Sequence, residues 1–124
     1  MTEETAVIQW LSDVEEHNYP AAESYLSIIY TEAKVAEMIV KLRSAPVVQF
    51  KAKDIFRASR LPLMGVSNLH VEKDRDKISK GRGLSPLLLL RDTQNGKVVI
   101  ADGYHRLCAI YEFNEDALIH CKII

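Results

Sequence analysis

The stretch Ile100-Ala101-Asp102-Gly103-Tyr104-His105-Arg106 gathers a carboxylate, a glycine, an imidazole and a guanidinium. A strand signal ends near Ala101 and a helix signal begins near Gly103, which places His105 and Arg106 on the first turn of a helix. Backbone N–H groups there have no intrahelical partner and the helix dipole is positive. That chemistry suits an anion, phosphate being the commonest guest. Gly103 permits φ > 0 and close approach of a ligand to the backbone, or simply makes a tight turn. Arg106 offers a planar fork for phosphate or carboxylate. His105 could donate to a phosphate oxygen or act as acid or base, and it lies off the apolar stripe Tyr104–Leu107–Cys108–Tyr111. Asp102 would repel an anion unless it caps the helix, holds Mg²⁺, or accepts from a sugar hydroxyl; capping is the simplest reading. His105 and Asp102 are thus the candidate catalytic groups, with Gly103, Tyr104, His105 and Arg106 as candidate phosphate contacts.

A second basic group, Lys77, Lys80 and Arg82, sits beside Gly81 and Gly83 and leads into Ser85-Pro86. Lys80, Arg82 and Ser85 are further candidates for phosphate. A mobile basic loop explains the same residues, and no aromatic side chains interleave with them as a single-strand nucleic-acid platform requires. Cys108 falls on an apolar stripe and Cys121 in a strand, so both read as small buried hydrophobes. A metal set drawn from His105, Cys108, His120 and Cys121 is opposed by strand geometry, because adjacent residues His120 and Cys121 face opposite sides.

The elements that must position these groups begin with three predicted helices. Thr2 can cap the first, with Glu3 and Glu4 at its positive end and Val7, Trp10, Leu11 and Val14 as its stripe. Pro20 opens the second, with Ala22, Tyr25, Leu26 and Ile29 inward. Thr31 caps the third over Val35, Met38, Ile39 and Leu42. Val47–Phe50 reads as a short strand and Lys53–Ser59 as one or two helical turns, then an irregular stretch, Arg60 to Gly65. Ser67 or Asn68 could cap a surface helix that ends at Gly81, and its charges, alternating in sign from Glu72 to Lys77, suggest a solvated face. Leu87–Leu90 is an apolar strand, Asn95-Gly96 a two-residue hairpin turn with both residues at φ > 0, and Lys97–Ile100 the returning strand. A helix from Tyr104 to about Phe113 and a last strand, Ala117–Ile124, complete an α+β chain.

The 124 residues suit one domain, organised as a helical segment over 1–45 packed on a core of 46–124. Two cysteines do not make a disulfide framework, no apolar run reaches membrane-spanning length, and the acidic start is unlike a secretory signal; a cytoplasmic protein is expected, with no membrane partner. The net charge of −1 hides an asymmetry: residues 1–33 hold seven acids and no Lys or Arg, while the rest holds all 16 bases against ten acids. The body suits an anionic ligand, and the acidic segment could pack beside it.

Two boxes resemble the ParB N-terminal domain and sulfiredoxin superfamily. Gly83-Leu84-Ser85-Pro86-Leu87-Leu88-Leu89 is similar to the box in which a glycine-led turn and a proline open an apolar strand. Ala101-Asp102-Gly103-Tyr104-His105-Arg106 is similar to the second box, closer to the Gly-Cys-His-Arg of sulfiredoxins than to the ParB form. The resemblance covers about Val47 to Ile124 and leaves out the N-terminal helices. It implies a small mixed sheet with helices whose Gly-Tyr-His-Arg turn binds nucleotide phosphates through Gly103, His105 and Arg106; a nucleoside tri- or diphosphate is then the candidate cofactor, and Asp102 could add Mg²⁺. Hydrolysis or phosphoryl transfer would be the activity. Tyr104 stands where sulfiredoxins carry their catalytic cysteine, so sulfinic-acid chemistry is not expected. ParB's helix-turn-helix and dimerisation regions are missing, which speaks against partition-site binding. A nucleic-acid-binding or nuclease module and a catalytically inactive interaction protein are the alternatives; a dimer is allowed.

Overall fold

One layer cannot bury four consecutive leucines in a strand, because successive side chains point to opposite faces. The computed structural model, which describes residues 7–63 and 69–124, meets this demand with helices on both sides of a sheet. In chain order the elements are α1 (Asn18–Ile29), α2 (Glu32–Ser44), β1 (Val48–Lys51), α3 (Ala52–Ser59), α4 (Leu69–Ser79), β2 (Leu87–Asp92), β3 (Lys97–Asp102), α5 (Tyr104–Phe113) and β4 (Leu118–Ile123). The fold is α+β with a mixed four-stranded sheet in the order β1-β4-β2-β3. β4 runs antiparallel to β1 and parallel to β2, and β2 and β3 form an antiparallel hairpin.

β2 lies inside the sheet, and Leu87–Leu90 are all buried. Leu87 and Leu89 pack with Ile55, Val71, Leu107 and Ile119 on the face covered by α3, α4 and α5. Leu88 and Leu90 pack with Tyr19, Leu26, Val35 and Leu42 on the face covered by α1 and α2. The N-terminal helices are therefore half of the core around β2. A buried lysine fastens them further. Lys122 Nζ donates to Tyr19 Oη at 3.2 Å and to the Arg43 carbonyl at 2.8 Å, and pairs with Asp13 at 3.2 Å. All three ammonium donors thus have acceptors, as a buried charge requires.

The chain before α1 departs from the expected helix. Thr2, Glu3 and Glu4 lie outside the described residues; residues 7–17 are not helical. Residues 9–11 instead run extended beside Leu84, with Leu11 N–H donating to Leu84 O and Leu84 N–H to Gln9 O, both at 2.9 Å. Trp10 stacks flat on His120, with centroids 4.9 Å apart and planes 3° apart. Val7 is 70 % exposed, so its place in the helical spacing was accidental, and tertiary contacts override local propensity here. The acidic N-terminal part holds two helices among the described residues, not three. Helix α1 starts at Asn18 rather than Pro20, and it buries Asn18, Tyr19, Ala22 and Leu26 while leaving Tyr25 and Ile29 exposed. Thr31 does cap α2, accepting from Lys34 N–H.

The hairpin also differs in detail. Asp92 pairs with Lys97, so four residues form the loop, and only Gly96 has positive φ, at +62°. Asp92 accepts from both the backbone N–H and the side-chain amide of Asn95, a local arrangement that competes with the two-residue turn. Met64, Gly65, Ser67 and Asn68 lie outside the described residues; α4 itself ends before Gly81, at φ +70°.

The two-sided burial of β2 predicts a single unfolding transition. Leu26→Ala and Leu89→Ala, one on each face, should each cost about 2–5 kcal/mol and lower the same midpoint, read together by Trp10 fluorescence and far-UV circular dichroism. A separate early transition in Leu26→Ala would show instead that the α1–α2 layer unfolds alone.

Candidate functional site

The β3–α5 turn is built against β2. The β2–β3 register shifts between Leu88 and Leu89, leaving Ala101 as the extra residue just before the turn. Such bulges bend a strand and re-aim the residues beyond them. Gly103 then adopts φ +111°. A Cβ there would lie 2.4 Å from Leu87 Cγ and 2.9 Å from Arg106 Nη2. The turn therefore needs glycine for its backbone and for its close fit. Helix α5 begins at Tyr104, and its first intrahelical bond is Leu107 N–H to Gly103 O at 3.0 Å. Asp102 does not cap this helix; Gly103 occupies the cap position with no side-chain hydrogen bond.

Arg106 is held rather than loose. Its Nη2 donates to Asp102 Oδ2 at 3.3 Å and to Asn18 Oδ1 at 3.2 Å. Asn18 is buried at the start of α1, so the N-terminal layer reaches into the turn. Arg106 Nε is buried with no hydrogen-bond acceptor among the described residues. Asp102 is engaged with Arg106, and among the described residues no group of three His, Cys, Asp or Glu side chains gathers as a metal site would.

Beside the turn lies a cleft of about 260 Å³ between α4 and α5, lined by His70, Lys73, Asp74, Lys77, Asp102, Gly103, His105 and Arg106. The His70 and His105 rings lie 4.9 Å apart. Partial burial holds the His105 imidazole below its ordinary pKa; His70 and Arg106 add to this, and Asp74 and Asp102 oppose it. Burial also raises the Asp74 carboxyl above its usual range, against the pull of Arg106, Lys77, His105 and His70. Lys73 and Lys77 are exposed and form no salt bridge among the described residues. Three permanent cations, two carboxylates and two imidazoles thus share one small space.

Of the residues singled out in sequence, Asp102, Gly103, His105 and Arg106 come together here. Tyr104 supplies a backbone group to the turn, but its side chain points elsewhere: its hydroxyl donates to the Pro62 carbonyl and its ring meets Phe56 edge-on. Lys80, Arg82 and Ser85 do not line the cleft. Lys80 pairs with Asp76 at 2.9 Å, Arg82 is exposed, and the buried Ser85 hydroxyl accepts from Glu15 N–H at 2.9 Å. Cys108 and Cys121 are buried, and burial pushes the Cys121 thiol up to about 12. Sequence reasoning missed His70, Lys73 and Asp74; Lys77, named there in a basic group that could meet phosphate or simply form a mobile loop, does line the cleft. The signal was present: positions 70, 73, 74 and 77 obey the i, i+3, i+4, i+7 rule for one helix face. Read as alternating charge, they looked merely solvated.

Gly103→Ala should therefore lower stability by roughly 2–5 kcal/mol, from the φ penalty together with overpacking against Leu87. Gly81→Ala also has positive φ but meets open space, so about 1–2 kcal/mol is expected. Urea midpoints of the two variants check the contrast.

Comparison with models of protein families, with curated proteins and with solved structures finds no match for this chain.

Proposed function

We propose that the α4–α5 cleft binds the phosphates of a nucleotide or another phosphate-bearing ligand, and that hydrolysis or transfer of a phosphoryl group is the reaction it serves. One observation carries this reading: Lys73, Lys77 and His70 from α4 converge on His105, Arg106 and the Gly103 turn of α5. Cations from one helix face the positive end of another, the arrangement that favours an oxyanion. Gly103 and Arg106 fix where the ligand meets the turn, Lys73 and Lys77 supply charge, and His105 is placed to donate to or accept from a phosphate oxygen. The resemblance of the Gly83–Leu89 and Ala101–Arg106 stretches to the ParB and sulfiredoxin superfamily supports the same guest. Asp102, the carboxylate beside the turn, would hold Mg²⁺ together with the ligand's own phosphate oxygens, since Mg²⁺ commonly takes one or two carboxylates plus phosphates. Bound there, the ion would neutralise phosphate charge.

Thermal shift in the presence of ATP, CTP, GTP and ADP, with and without Mg²⁺, tests the reading. Stabilisation by at least one of them at millimolar concentration is expected, and Lys77→Ala should weaken binding by about tenfold, the loss of one charge-assisted contact. Unchanged melting with every nucleotide would refute the proposal.

The pH dependence has a defined sign. The folded-state pKa of His105 lies below its ordinary value, so as pH falls through about 6.5 the unfolded chain takes up the proton first. The free protein should lose stability from about pH 7 toward pH 5, and His105→Gln should remove part of that loss. A phosphate beside His105 favours the imidazolium, so affinity should rise over the same range in the parent and rise less in His105→Gln. Thermal melts with and without ligand at about pH 5–8 measure both trends, and affinity that falls on acidification in the parent but not in the variant would contradict the placement of His105.

A further inference from the structure

The cleft differs from a nucleotide pocket in what its walls are made of. Gly103 apart, every described residue that lines it is ionisable: His70, Lys73, Asp74, Lys77, Asp102, His105 and Arg106. A site that reads a base pairs hydrogen bonds with an apolar or aromatic wall, because the base offers a flat apolar face as well as polar edges. Among the described residues the aromatic side chains in this cleft are the two imidazoles, which meet each other at a tilt of 40° with centroids 4.9 Å apart, and the planar Arg106 guanidinium is held by Asp102 and Asn18. The volume of about 260 Å³ also falls below the roughly 300–1,000 Å³ of clefts that enclose a drug-sized ligand.

The cations are spread out. Lys73 and Lys77 are four residues apart on α4, one turn or about 6 Å along the helix axis. Arg106 and the α5 N-terminus form the opposite wall. A single phosphate would meet part of this set, whereas linked phosphates would meet both lysines and the turn together. Asp74 and Asp102 temper the charge: Asp102 pairs with Arg106 through Oδ2 at 3.3 Å, and Asp74 lies among Lys77, His70, His105 and Arg106.

Resting on the phosphate reading above, we infer that the cleft recognises a chain of two or three phosphates and not the base to which it is attached. Inorganic pyrophosphate and tripolyphosphate are then ligands in their own right, and nucleotides bind by the same part. The substrate class is the phosphoanhydride chain.

Isothermal titration of the full chain at about pH 7, with fixed ionic strength and Mg²⁺, separates the cases. Tripolyphosphate, ATP, CTP and GTP should agree within about tenfold, and orthophosphate should bind more than about tenfold more weakly than tripolyphosphate. Adenosine should give no heat of binding. The Lys73→Ala/Lys77→Ala variant, both of whose changes are on exposed positions, should lose about tenfold or more for tripolyphosphate and the nucleotides alike. One nucleoside triphosphate exceeding tripolyphosphate by more than about tenfold would overturn the inference while leaving a phosphate cleft in place. Orthophosphate binding as tightly as tripolyphosphate would overturn the need for a chain. Full binding by the double variant would overturn the site, and silence from every phosphate compound would overturn both this inference and the reading beneath it.

Discussion

The two-sided burial of β2 is the constraint that shapes the rest of the molecule. Leu87 and Leu89 need one helical layer and Leu88 and Leu90 need another, so neither α1–α2 nor α3–α5 alone would satisfy the strand. Each fully buried leucine is worth about 1.5–3 kcal/mol relative to exposure, and that gain holds the acidic N-terminal part onto the sheet. The same strand shapes the turn. Leu87 lies where a side chain at position 103 would be, and the bulge at Ala101 brings Asp102 and Gly103 to the end of β3. Core and candidate site therefore share Leu87, and packing alone already fixes Gly103, the residue of the turn with least room for change.

Much of this was legible because local signals agreed with tertiary demands. The Leu87–Leu90 run, the returning strand and the glycine at the strand-to-helix junction each have a single good solution. The first predicted helix failed because its spacing was right for a stripe whose partners were elsewhere. Trp10 found His120, near the far end of the chain, and Asp13 found Lys122. The hairpin signal was right about Gly96 and wrong about Asn95, since Asp92 offered Asn95 two hydrogen bonds that the tighter turn would forgo. Whether β4 would run parallel or antiparallel to its neighbours was beyond any periodicity, because it pairs both ways at once.

The α4 wall was hidden for a different reason. A row of charges on a helix looks the same whether it faces water or faces a second row of charges, and the difference lies only in what packs opposite. Val71 and Ile78 bury α4 against the α5 side of the core, and that rotation turns His70, Lys73, Asp74 and Lys77 toward the turn. Arg75, elsewhere on the helix, lies over the Phe113 ring at 4.7 Å. Two apolar residues thus decide where the charged residues between them point.

The walls of the cleft are unequal in stiffness, and this sets what kind of binding it can give. On the α5 side Arg106 is pinned by Asn18 and Asp102 and Gly103 is locked against Leu87, so little order remains to be acquired. On the α4 side two exposed lysines carry the charge, and each loses up to about 2 kcal/mol of rotamer freedom when it is fixed. Their attraction acts near solvent, where a Debye length of about 8 Å at physiological salt weakens it. A fixed wall gives the position and a soft wall gives the charge, so an anion held here would be well placed, readily exchanged and sensitive to ionic strength. Those properties suit the proposed binding of a charged chain; deep burial of one particular ligand would need an apolar wall, which the described residues around this cleft do not supply.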